Sequence, residues 1–164
     1  MSETTFFNSL LVGSFALAAV IFISLFFIAA PYGRHTRKGW GPSVDNRLGW
    51  ILMEMMSPIL FGWLFLTGTV TAGIVPLVFV VLWESHYIHR AFIYPFSLRG
   101  NDKRMPVSII LFGVIFNLMN AYLNGRYLFH FSDGYGSQWL NDPRSVSYTH
   151  LRAHETVLDL VCRL

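Results

Sequence analysis

The chain has 164 residues, of which 54% are hydrophobic and 13% are charged. Soluble domains carry about 25% charged residues, so this shortage argues against an ordinary soluble domain and predicts a membrane protein. The formal net charge of +3 is too small to predict a nucleic-acid partner, and a single cysteine excludes an internal disulfide.

Four apolar runs predict four transmembrane helices, at about 8–30, 48–66, 74–88 and 106–129. A span needs about 20 apolar residues, and the first run meets this length without a single charge. Pro58 predicts a kink in the second helix, and the short neutral turn 67–73 predicts that the second and third helices form a hairpin. The predicted fold class is therefore all-α, a polytopic transmembrane helical bundle.

Two basic loops predict the orientation of this bundle. The loops 31–49 and 89–105 each carry four Lys or Arg residues and lie on the same side of the predicted membrane. By the positive-inside rule that side is cytoplasmic, and the N-terminus faces the opposite side. The basic charge has a structural explanation as well, since it orients the chain and contacts anionic lipid without any ligand.

The last stretch of the chain differs abruptly in composition from the rest. Its string V-S-Y-T-H-L-R-A-H-E-T resembles a frame translation of a sequencing-library adapter. We interpret 1–145 as one membrane domain and 146–164 as a non-native tail that takes no part in the predicted fold. His150, His154 and Cys162 therefore carry no metal or thiol argument.

Polar groups inside the apolar runs are the candidate functional residues. Glu54 lies within a span, where a carboxylate costs roughly 2.5–3.5 kcal/mol on insertion scales. Tyr87 lies near the end of the third run, and its hydroxyl can polarise a carbonyl or deliver a proton. Each has a structural alternative, a helix–helix hydrogen bond for Glu54 and an interfacial anchor for Tyr87.

The fourth run adds a polar stripe. Asn117, Asn120 and Asn124 lie at i, i+3 and i+7, which places them on one helix face. We expect that face to look into the bundle or a polar cavity, because polar side chains avoid lipid.

Histidine spacing suggests a metal site only weakly. His86 and His89 form an H-x-x-H pair, but 1–145 contains just two further histidines, His35 and His130. Two neighbouring histidines do not complete a metal coordination sphere, so no metal site is predicted.

No G-x-G-x-x-G or Walker pattern supports a nucleotide-binding domain either. The residues by themselves predict a membrane bundle with an internal polar site and leave its reaction open.

Several motifs, taken in order, resemble those of the steroid 5α-reductase family (3-oxo-5α-steroid 4-dehydrogenases). They are Y-G-R-H at 32–35, W-I-L-M-E at 50–54, H-Y-I-H-R at 86–90, I-Y-P-F-S-L-R-G at 93–100 and W-L-N-D-P-R at 139–144. The resemblance implies a membrane bundle of seven helices, of which this chain would hold four. It also implies an oxidoreductase that uses NADPH to reduce the C=C bond of a 3-oxo-Δ4 steroid or similar lipid enone.

The resemblance assigns roles residue by residue. Glu54 and Tyr87 match the family's catalytic pair, which hydrogen-bonds the carbonyl oxygen while hydride goes to the β carbon. The substrate-binding positions are Trp50, Met53 and Phe116, and the cofactor-binding positions are Tyr32, Tyr94, Arg99 and Arg104. Two departures concern the substrate pocket: Met53 replaces a frequent glutamine, and Phe112 stands where some members have an arginine.

The resemblance also implies that further helices follow W-x-x-D-P-R in the family and supply most cofactor contacts. We therefore expect the chain as written to be inactive and not to bind NADPH. Two alternatives stay open. One is a membrane methyltransferase on a related scaffold, which would use S-adenosylmethionine. The other is a non-enzymatic bundle in which Glu54 and the asparagines join helices.

Overall fold

Helices make up nearly all of the computed structural model, which describes residues 1–27, 41–97 and 104–143. They are α1 (Glu3–Leu25), α2 (Asn46–Glu54), α3 (Met56–Thr67), α4 (Ile74–Ile88), α5 (Tyr94–Ser97) and α6 (Val107–Arg126). Two π-helical turns, His89–Ile93 and Tyr127–Phe131, extend α4 and α6, and a 3-10 turn covers Ser137–Asn141. The predicted all-α membrane class is confirmed, while the predicted tail at 146–164 lies outside the described residues.

Three stretches of the described chain are long and apolar enough to cross a membrane. They are Glu3–Ser24, Asn46–Thr67 and Val107–Phe131, which correspond to the first, second and fourth predicted spans. The third predicted span has the bounds of α4, but its 15 residues fall short of the length that a span needs. The chain stays helical through the π-helical turn and α5 as far as Ser97. The prediction of a loop beginning at residue 89 is therefore wrong for 89–97.

The helix α1 begins earlier than predicted and contacts the bundle near its start. Ser2 caps it, because its hydroxyl accepts a hydrogen bond from the backbone N–H of Thr5 at 3.2 Å. Phe7 is buried with its ring 4.9 Å from that of Phe131, and Glu3 forms an ion pair with Arg126. The N-terminus of α1 therefore lies beside the end of α6.

The second predicted span is a single stretch with a break at Met55. Pro58 has no N–H to donate to the carbonyl of Glu54, four residues earlier, so the regular helical hydrogen bond is lost there. The chain resolves this by ending α2 at Glu54 and starting α3 at Met56. A one-residue break in the helix thus falls where a kink was predicted, beside the candidate carboxylate.

Close packing of α3, α4 and α6 forms the core. Phe61 stacks on Trp83 with ring centroids 4.2 Å apart, and Phe129 meets Phe61 edge-on at 5.1 Å. Gly125 lets α6 approach α3, since a Cβ at this position would lie 2.7 Å from Cδ1 of Leu64. The predicted hairpin of α3 and α4 is confirmed by their mutual packing.

A short antiparallel ladder joins the two basic segments. The strands β1 (Ser43–Asp45) and β2 (Arg104–Pro106) pair with Ser43 opposite Pro106. This pairing ties residues before α2 to residues before α6 at one end of the bundle, while the N-terminus of α1 meets the other end of α6. The side of the membrane that each end faces stays a prediction.

Filling the α3–α6 contact at Gly125 should destabilise the bundle. The substitution Gly125→Ala forces Leu64 to move, and overpacking of this kind costs about 1–3 kcal/mol. Gly13→Ala on α1 is the matched control, because nothing lies within 4 Å of its added Cβ. Unfolding of both variants in detergent, followed by circular dichroism, measures the difference. Equal stability of the two variants would show that α3 and α6 do not meet at Gly125.

Candidate functional site

The carboxylate of Glu54 lies at the centre of the polar interior. Its side chain is 4% exposed, at the end of α2. Oε1 accepts a hydrogen bond from Nε of Arg90 at 2.8 Å, and Oε2 accepts one from Nδ2 of Asn117 at 3.3 Å. Asn117 also donates to the backbone carbonyl of Met53 at 2.9 Å. A buried carboxylate needs such donors, and they come from two other segments of the chain.

The partner of Glu54 is a residue whose role the sequence reasoning missed. Arg90 lies in the π-helical turn after α4, and its side chain is 38% exposed. Its guanidinium also lies 5.3 Å from the ring centroid of Trp50, a cation–π distance. One signal could have found this pair: a lone acid inside a span requires a basic partner, and Arg90 follows the apolar run of α4 directly.

Tyr87 is buried on α4, one helical turn after Trp83. Its hydroxyl oxygen accepts a hydrogen bond from Nδ2 of Asn120 at 3.2 Å. Its ring packs against those of Trp83 and His86, with centroids 5.1 Å away in each case. The ring is therefore held on two sides while its oxygen points towards α6.

The asparagine face of α6 turns into the bundle at Asn117 and Asn120, as predicted, and there it connects these groups. Asn117 reaches Glu54 and Asn120 reaches Tyr87, so one helix face joins the two candidate catalytic residues. Asn124 donates to both the carbonyl and the side-chain oxygen of Asn120, at 2.9 and 3.0 Å. Asn117 is buried, whereas Asn124 is exposed beside a cavity. The helix α6 thus carries a hydrogen-bonded ladder along the site.

Two of the three predicted substrate residues lie near this network. Trp50 packs beside Arg90, and Met53 packs against Gly113, where any side chain would collide with its sulfur. Phe116 lies elsewhere, since it is 58% exposed on α6. Its assignment to the substrate pocket stays a prediction.

The predicted cofactor residues are not gathered into one site within the described ranges. The ring of Tyr94 meets that of Trp50 edge-on at 5.0 Å. Arg104 donates from Nε to the hydroxyl of Ser43 at 3.0 Å and from Nη2 to its carbonyl, which clamps β2 onto β1. Tyr32 and Arg99 lie outside the described residues.

Comparison with known proteins gives a consistent set of relatives. No family model matches the chain. It is 34% identical over 142 residues to the steroid 5-alpha-reductase DET2 of Gossypium hirsutum, covering 85% of this chain and 55% of the relative. It is 31% identical over 140 residues to DET2 of Arabidopsis thaliana, with 82% and 53% covered. It is 30% identical over 140 residues to the 3-oxo-5-alpha-steroid 4-dehydrogenase 1 of Bos taurus, with 80% and 52% covered.

The fold and site define an α-helical membrane protein with a buried network of acid, arginine, tyrosine and asparagine side chains. Its relatives place the chain in the steroid 5α-reductase family, as a partial region. The chain spans about half the length of the curated relatives that it matches.

The ion pair of Glu54 with Arg90 should show a measurable energetic coupling. Pairs that share one hydrogen-bonded network couple by about 0.5–3 kcal/mol, and exposed pairs by only about 0.2–1 kcal/mol. We expect a double-mutant cycle of Glu54→Gln and Arg90→Gln, measured by unfolding in detergent, to give a coupling near the upper range. The pair of Glu3 with Arg126 is the control, because the Glu3 side chain is 46% exposed. A coupling at Glu54 no larger than the control would contradict the central position of this pair.

Proposed function

We propose that this chain is the carbonyl-binding region of a membrane oxidoreductase that reduces the C=C bond of a 3-oxo-Δ4 steroid or similar enone. The observation that carries the proposal is the joining of Glu54 and Tyr87 through one face of α6. The names of the relatives, which are steroid 5-alpha-reductases, support the substrate class and the reaction. Lipid around the apolar helices would supply the substrate from the membrane.

Tyr87 is the proposed hydrogen-bond donor to the substrate carbonyl. Hydride addition at the β carbon places negative charge on the carbonyl oxygen, which a preorganised donor stabilises. Asn120 already donates to the oxygen of Tyr87, so the O–H proton of Tyr87 must point to a different acceptor. A substrate carbonyl beside Tyr87 would be that acceptor.

Glu54 acts differently in its two protonation states. As a carboxylate it only accepts hydrogen bonds, and it holds Arg90 and Asn117 in place. To share the carbonyl oxygen with Tyr87, it must carry a proton and turn that O–H towards the substrate. We propose that this protonated form is the one that binds the enone.

NADPH is the proposed hydride donor, and when bound it would supply hydride to the β carbon. The two described cofactor candidates do not fit a dinucleotide as they stand, because Arg104 is engaged with Ser43 and Tyr94 with Trp50. No step is therefore assigned to these side chains.

We also propose that the end of the bundle with β1 and β2 faces the cytoplasm, in keeping with its basic segments.

The roles of Glu54 and Tyr87 are tested in a chain of the relatives' full length by removing their O–H groups, since an amide N–H is a far weaker acid than a carboxylic O–H. Glu54→Gln or Tyr87→Phe should lower the turnover of an enone steroid at least about tenfold, which corresponds to roughly 1.4 kcal/mol of transition-state stabilisation. Tyr127→Phe is the control, because Tyr127 is an exposed tyrosine beyond the end of α6. Unchanged turnover in both site variants would contradict the roles assigned to Glu54 and Tyr87.

Cofactor binding is tested on the chain as it stands. The purified 164-residue protein should show no tight binding in a fluorescence titration with NADPH, since Arg104, the described basic candidate for the phosphates, is engaged with Ser43. A chain of the relatives' full length serves as the positive control. Saturable NADPH binding to the 164-residue chain, with the affinity of the full-length control, would contradict this prediction.

A further inference from the structure

The hydrogen bonds that join Tyr87, Asn120 and Asn124 all run in one direction. Nδ2 of Asn120 donates to the hydroxyl oxygen of Tyr87 at 3.2 Å. Oδ1 of Asn120 in turn accepts a hydrogen bond from Nδ2 of Asn124 at 3.0 Å. The donor end of the Asn120 amide therefore faces Tyr87, and its acceptor end faces Asn124.

The orientation of the Asn120 amide controls the O–H proton of Tyr87. An asparagine amide carries an acceptor oxygen and a donor nitrogen, and half a rotation exchanges the two at nearly the same positions. In the reversed orientation the oxygen of Asn120 would face Tyr87 and accept its O–H proton. That proton would then be unavailable to a substrate carbonyl.

Asn124 excludes the reversed orientation. Its Nδ2 also donates to the backbone carbonyl of Asn120 at 2.9 Å, and a carbonyl oxygen can only accept. A reversed Asn120 would place two NH2 groups against each other at the 3.0 Å contact. Reversing Asn124 as well would place its Oδ1 against the backbone carbonyl, so that two acceptors would meet. One arrangement of the two amides therefore satisfies all three contacts.

We propose that Asn124 is a positioning residue, which acts through Asn120 and makes Tyr87 present its O–H proton to a carbonyl ligand. Both hydrogen bonds that Asn124 donates are to Asn120, which belongs to the same helix, α6. A role in joining α6 to α4 therefore does not explain them. The inference rests on the proposed function for the identity of the ligand, an enone carbonyl.

The direction of the Tyr87 hydrogen bond is measured on the 164-residue chain in detergent micelles, without cofactor or substrate. In Raman spectra the intensity ratio of the tyrosine Fermi doublet rises when the hydroxyl oxygen accepts a hydrogen bond and falls when the hydroxyl donates one. The difference spectrum between each chain and its Tyr87→Phe counterpart isolates the contribution of Tyr87. We expect the ratio of an acceptor in the unchanged chain, because Asn120 donates to Tyr87.

Two variants of Asn124 should lower this ratio. Asn124→Asp replaces the donor by an acceptor, which stabilises a reversed Asn120, and the oxygen of Asn120 then accepts from Tyr87. Asn124→Leu should lower the ratio less, because it removes the donor without stabilising the reversed amide. Each hydrogen bond favours one orientation by about two- to tenfold, which sets the size of the population change.

Asn8→Asp is the matched control, since Asn8 is an exposed asparagine on α1, and it should leave the ratio unchanged. Circular dichroism identifies a variant that has unfolded, and the other variant of Asn124 then suffices.

Turnover provides a second measurement, in a chain of the relatives' full length. Asn124→Leu should lower kcat for an enone steroid at least about threefold and change KM less. The reason is that a donor to the carbonyl oxygen contributes most when negative charge develops there in the transition state. Asn8→Leu is the control for this measurement.

An unchanged doublet ratio in folded Asn124→Asp and Asn124→Leu chains would overturn the proposal, and so would an equal shift in Asn8→Asp. A lowered ratio with unchanged turnover would support the positioning role of Asn124 and contradict the proposed function of Tyr87. The spectra and the kinetics therefore distinguish a failure of this inference from a failure of the proposed function.

Discussion

The burial of the Glu54 carboxylate is the constraint on which the rest of this structure depends. An ionised carboxylate removed from water needs several donors, or it costs more than the fold can tolerate. Those donors are Arg90 from the π-helical turn after α4 and Asn117 from α6. Three segments that are distant in sequence must therefore meet at one point, and α2, α4 and α6 are arranged around it.

Local departures from regular helix geometry bring these groups together. Pro58 cannot donate to the carbonyl of Glu54, so the helix breaks beside the carboxylate. The wide turn at His89–Ile93 is a π-helical segment, a feature that often marks functional positions, and it contains Arg90. The site is thus formed by two interruptions in otherwise regular apolar helices.

The helix α6 links the polar groups along the bundle. Asn117 donates to Glu54, Asn120 to Tyr87 and Asn124 to Asn120. Gly125 permits the close approach of Leu64 from α3. The same ladder ends at the cavity beside Trp83. One helix face therefore carries hydrogen bonds to both candidate residues, Glu54 and Tyr87.

The sequence by itself determined the membrane class, the approximate positions of the apolar helices, the break at Pro58 and the inward face of Asn117 and Asn120. These follow from composition and periodicity, which are local properties of the chain. It also singled out Glu54 and Tyr87 as candidate site residues, because polar groups in apolar runs stand out. Only the tertiary structure decided that Arg90 pairs with Glu54, that Arg104 clamps Ser43 and that Phe116 is exposed. Those outcomes depend on which faces of different helices meet, and local sequence pattern does not encode the distance between segments that pack only after folding.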